Sequence, residues 1–145
     1  MKKNLETHLL GNHLFANAKA LIYASLFLKC DLGDEWYKKG TKLIERELHE
    51  QVLRDGGNFE LSTMYHLIFL EDLIDLVNIH RAYLLDLPKF LEETIIKMIL
   101  WMELMCHPDG EISFFNDAAI GITPSVEEIQ QYAKRLNCYP KEGIK

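Results

Sequence analysis

Two short polar pairs stand at the heads of apolar stretches. Asn12-His13 precedes "LFANAKALIYASLFL", and Tyr65-His66 precedes "LIFLEDLIDLVNI". The pairs lie 53 residues apart. An amide donor, two imidazoles and a phenol gathered in one cleft can neutralise a carboxylate and carry a proton. Taken singly, each has a plainer role. Asn12 reads as a helix N-cap and His13 as a first-turn residue. Tyr65 reads as a half-buried ring with its hydroxyl at the wet end of a helix, and His66 as a satisfied boundary histidine. Their recurrence at two equivalent helix starts favours a shared role.

The elements that must position them are helical. Turn signals cut the chain into blocks at 13–29, 35–54, 64–84 and 88–106, and a short last helix follows Ser125. Asp34 is placed to cap the second block and Pro88 to open the fourth. Ser125 and Glu128 have capping-box spacing. The second block is amphipathic, with Trp36, Leu43, Ile44, Leu48 and Val52 on one stripe. The first and third blocks are apolar on most faces near their starts, as expected of inner helices.

"RDGGNF" and "HPDGEI" each follow an outer-type helix, and their Asp-Gly pairs, Asp55-Gly56 and Asp109-Gly110, are 54 residues apart. A repeat of that length predicts an all-α chain of stacked helical hairpins, either an open solenoid or a closed α/α toroid. In such a stack the starts of successive inner helices lie at one end, so Asn12-His13 and Tyr65-His66 would share a rim. The loops "GGNFE", with Asn58 and Glu60, and "FFNDAA", with Asn116 and Asp117, would feed the same rim, although ordinary turn and capping roles suit these residues better than ligand contact. About two and a half hairpins are too few for a stable array, which predicts a piece of something larger or an oligomer.

Composition removes several function classes. The net charge of −6 gives no basic field for nucleic acid or an anionic membrane. No apolar run approaches the ~18 residues of a membrane span. Cys30, Cys106 and Cys138 form neither a CxxC pair nor a disulfide framework. His8, His49, His80 and His107 complete no zinc spacing, so neither metal nor cofactor is expected. The Glu71, Asp72 and Asp75 group reads as a solvated or inter-helix face rather than an acid/base pair. No export signal is legible in "MKKNLETHLLGNHLF", which leaves the compartment open between the periplasm and cytoplasm of a bacterial parent.

The stretches "GNHLFANAKALIYASLFL", "DGGNFELSTMYHLIFLEDLIDL" and "HPDGEISFFNDAAIGITPS" resemble the heparinase II/III polysaccharide lyases and their alginate-lyase relatives, over roughly residues 9–136. The resemblance implies that residues 1–145 are a single domain, the C-terminal portion of an incomplete α/α toroid, with a β-sandwich domain beyond it. It implies β-elimination of uronic-acid-containing chains: an acidic polysaccharide as substrate, and the β-sandwich or an oligomeric partner needed to complete the cleft. By the same resemblance, Asn12 would bind the uronate carboxylate, and His13 would assist it or act as base. Tyr65 would protonate the departing oxygen and in some members also take the C5 proton. His66, Asn58, Glu60, Asn116 and Asp117 would support substrate binding. The chain departs from the family pattern at Leu61, where arginine is usual, at Thr63, where proline is usual, and at Asn58, where histidine is common. A non-catalytic glycan-binding or scaffold module, a decayed remnant, or a sugar hydrolase or epimerase are the competing readings.

Overall fold

The computed structural model describes residues 12–28 and 31–140, with Asn12 described by its backbone alone. The expectations at His8, Gly11 and Cys30 lie outside the described residues. The chain forms two compact units, Met1–Gln51 and Val52–Lys145.

In the first unit, α1 (Asn12–Phe27) packs on α2 (Gly33–Gln51) as a helical hairpin. Leu14, Phe15, Ala18, Leu21 and Ile22 form the buried stripe of α1. The two helices come close at Gly40, where a Cβ would lie 2.7 Å from Ile22 Cγ1 and 3.0 Å from the Ala18 carbonyl oxygen. The α2 stripe is rotated from the expected one. Gly40, Ile44, Glu47, Leu48 and Gln51 are buried, whereas Trp36, Leu43 and Val52 are half-buried. Glu47 tolerates burial because its carboxylate is satisfied. It accepts from Arg46 Nη2 at 2.8 Å and from Gln51 Nε2 at 2.8 Å.

In the second unit, α3 (Thr63–Ala82) packs on α4 (Lys89–Leu104) and on α5 (Val126–Arg135). Leu73, Ile74, Leu76 and Val77 are all buried. Their spacing spreads round the helix, so α3 is wrapped on most of its circumference, as expected of an inner helix. Each such aliphatic side chain contributes roughly 1.5–3 kcal/mol relative to exposure. By contrast, α4 buries a single stripe, Leu91, Ile95, Met98, Ile99 and Met102. That spacing matches the α2 stripe, which marks the two as equivalent outer helices.

The capping box at Ser125 and Glu128 opens α5. Its Tyr132 hydroxyl donates to Asp75 Oδ1 at 2.8 Å, so Asp75 serves an inter-helix contact. Tyr139, just beyond α5, bonds through its hydroxyl to Glu103 of α4. Burial, with the neighbouring carboxylate, pushes that phenol up to about 12.

The two Asp-Gly stretches adopt one turn. Val52 bridges Asn58 and Cys106 bridges Ile112, both antiparallel. In the first, Leu53 N donates to Gly57 O at 2.8 Å; in the second, His107 N donates to Glu111 O at 2.9 Å. Asp55 Oδ1 accepts from Gly57 N, and Asp109 Oδ1 accepts from Glu111 N, each at 3.0 Å. Gly56 and Gly110 take positive φ, +95° and +89°. Glycine is needed there because a Cβ disfavours that region. The echo in sequence is therefore a structural repeat. Among the described residues there are no strands beyond these bridges, and no helix is long and apolar enough to cross a membrane.

Candidate functional site

The candidate residues of the second unit gather at the start of α3. Ser62 has extended backbone and caps the helix, its Oγ accepting from Tyr65 N at 3.3 Å. The cap fixes the first turn without using the Tyr65 side chain. Tyr65 is half-buried, and no hydrogen bond to its hydroxyl is found among the described residues. The residue is a phenol on a rigid helix start.

His66 faces inward and is 1% exposed. Its Nδ1 accepts from Asn58 N at 3.3 Å, and its Nε2 pairs with Met98 O at 3.0 Å. A carbonyl can only accept, so Nε2 carries the proton and Nδ1 is the acceptor. The ring lies 4.5 Å from the Trp101 ring. Both nitrogens are occupied within the protein, which ties His66 into the helix start. Asn58 is tied in likewise. It is 2% exposed, and its Oδ1 accepts from Glu60 N at 3.0 Å. Its burial and its turn bond make it the keystone of the loop.

Burial pushes the His66 imidazole down to about 4, although the Met98 carbonyl and Asp55 act in the opposite direction. In the unfolded chain the ordinary value, 6.5, applies. As pH falls, the unfolded chain therefore takes the proton first. The stabilisation is complete above about pH 6.5 and is lost towards pH 4, a change of up to about 3 kcal/mol. Urea melts across this range should show that slope in the wild type and lack it in His66→Gln.

A second loop is tied to the same helix start. Thr63 Oγ1 donates to Ser113 O. Asn116 Nδ2 lies 3.3 Å from both Glu60 O and Leu61 O. Asn116 and Asp117 are exposed and take positive φ, as does Leu61. Asn116 thus holds the loop with its side chain, Asp117 beside it is exposed, and Glu60, whose carbonyl Asn116 contacts, is half-buried. In the first unit, His13 is exposed in the first turn of α1, and Asn12 begins that helix.

Three contributors were missed by sequence reading. Ser62 precedes the helix as a favoured N-cap type and could have been found. Ser113 and Trp101 act through contacts across 50 and 35 residues of sequence, which no local pattern reports. Cys106 lines a small cavity with Thr63, His66 and Trp101, Cys138 is buried beyond α5, and burial raises both thiols, which disfavours the thiolate. Among the described residues no group of three or more His, Cys, Asp or Glu is arranged to hold a metal ion.

Comparison with known proteins shows the family and the fold. The family model for the heparinase II/III N-terminus matches residues 1–144. A heparin-sulfate lyase of Bacteroides stercoris is 33% identical over 134 residues, covering 90% of this chain and 20% of the relative. A heparin-sulfate lyase of Pedobacter heparinus is 26% identical over 137 residues, again covering 90% and 20%. The crystal structure of heparinase III superposes with a TM-score of 0.73 at 21% identity, covering 88% of this chain and 20% of that one. A heparinase III gene product with methylated lysines gives 0.71 at 28% identity, covering 94% and 21%. The chain thus spans about a fifth of the length of the curated relatives it matches. Its all-α fold is that of part of the α/α toroid of heparinase III. Matched over nearly its whole length, the chain belongs to the heparinase II/III N-terminal family.

Proposed function

We propose that this chain contributes Asn12, His13 and Tyr65 to a lyase that cleaves a uronic-acid-containing polysaccharide by β-elimination. The family is one of polysaccharide lyases. Relatives named as heparin-sulfate lyases make a heparan-type glycosaminoglycan the substrate class to try first. The observation that carries the reading is Tyr65, a half-exposed phenol on a helix start clamped by two loops.

In the proposed reaction the Asn12 amide donates to the uronate carboxylate. Withdrawing charge from that group acidifies the neighbouring C5–H bond. The C5 proton passes to a base, His13 or an ionised Tyr65. The electron pair left behind forms the C4=C5 double bond as the C4–O bond breaks. The phenolic form of Tyr65 gives its proton to the leaving oxygen, so one group can serve both steps. Glu60, Asn116 and Asp117 shape the rim around this tyrosine. The β-sandwich or an oligomeric partner completes the cleft.

The native polypeptide carrying this sequence should convert heparan-type chains to products that absorb in the ultraviolet through the new double bond. Residues 1–145 alone should show little or no turnover, because most of the length of the relatives is missing from them. Glycan binding without any rise in absorbance would favour the non-catalytic module instead.

A further inference from the structure

The repeated turn supplies an internal control. The turns at Asp55-Gly56 and Asp109-Gly110 have the same bridges and the same backbone bonds, yet they sit in different surroundings. A Cβ at Gly56 would lie 2.3 Å from the Lys97 carbonyl oxygen, and one at Gly57 would lie 2.8 Å from Trp101 Nε1. At Gly110 nothing comes within 4 Å, and an exposed Glu111 stands where the first turn has Gly57. The turn therefore forms its own hydrogen bonds without a helix beneath it. What the first copy gains from α4 is a fixed place rather than a conformation.

The five residues Lys97–Trp101 provide that place. The Lys97 backbone lies under Gly56, the Met98 carbonyl accepts the hydrogen bond of His66 Nε2–H, and the Trp101 ring covers both Gly57 and His66. His66 in turn accepts from the Asn58 amide, and Asn58 holds Glu60. We propose that Trp101 is a positioning residue for Tyr65: by closing over His66 and Gly57 it locks residues 56–66 against α4 and fixes where the phenol stands. This rests on the reading of Tyr65 as the proton donor. Trp101 is only half-buried, so its ring acts as a lid on the pair rather than as a filler of the core.

The test uses the native polypeptide with Trp101→Ala, Trp101→Phe and Gly57→Ala. Gly57→Ala lifts the indole without opening a cavity, so it serves if Trp101→Ala folds poorly. Hydrogen exchange followed by mass spectrometry reads the segment 55–61 against the matching segment 109–115. Trp101→Ala and Gly57→Ala should speed exchange in the first segment by about tenfold or more and leave the second unchanged. In both, kcat should fall by roughly 10- to 100-fold with KM near wild type, as expected when a reacting group is misplaced by about an ångström. Trp101→Phe should restore protection and most of kcat. Wild-type protection of 55–61 in both variants would overturn the proposal, as would faster exchange there with kcat untouched while Tyr65→Phe is inactive. If Tyr65→Phe is itself fully active, the reading of Tyr65 fails, and exchange alone then decides whether Trp101 locks the loop.

Discussion

Replacing Tyr65 with phenylalanine should lower kcat of the native polypeptide by roughly 10²- to 10⁴-fold, the usual contribution of a placed general acid or base. The ring remains, so KM should change little. The helix start also remains, because Ser62 caps it through the Tyr65 backbone N–H and not through the phenol. Thermal unfolding should therefore be close to wild type, and loss of activity without loss of stability is the signature to seek. Steady-state kinetics alongside a melting curve measures both. Wild-type kcat in the phenylalanine variant would remove Tyr65 from the chemistry.

The second large effect is structural. Gly56→Ala should destabilise the chain by about 4 kcal/mol or more, because two penalties add. One is the backbone, since φ is +95° there. The other is packing, since the new Cβ would meet the Lys97 carbonyl oxygen at 2.3 Å and its carbon at 2.6 Å. Both atoms are backbone within α4, so neither yields as a side-chain tip would. Gly110→Ala carries only the first penalty, about 1–2 kcal/mol, because nothing lies within 4 Å of it. Urea denaturation of the two variants separates strain from packing within one molecule. Equal losses would mean that the first turn is not seated on α4.

Local features of this chain were legible because they depend on near neighbours. The Asp-Gly echo reported a real turn repeat, since Asx bonds and positive φ are set by residues within the turn itself. The capping box at Ser125 was equally plain. The stripe of α2 was read one step round the helix from where it lies, because hydropathy alone does not anticipate a buried Glu47. Only the pairing with Arg46 and Gln51 makes that burial acceptable, and the pairing is visible only in three dimensions.

The candidate site shows the same division. Tyr65 at a helix start was readable from the apolar run that follows it. The inward turn of His66 was not, because it depends on Met98 and Trp101, 32 and 35 residues further on. Asn116 was noted as a rim residue, but its part in holding Glu60 and Leu61 required knowing that its loop returns to α3. Sequence thus offered the phenol as a candidate, and the structure shows the contacts around the helix start that carries it.

Elimination and hydrolysis differ in one atom source, which gives the most direct test. The native polypeptide is supplied with a heparan-type chain in water enriched in heavy oxygen, and the new chain ends are weighed. An elimination adds no water across the broken bond, so the predicted products are unsaturated, carry no solvent oxygen, and are lighter by one water than hydrolysis products. Saturated ends bearing heavy oxygen would contradict the account and place the chain in a hydrolase.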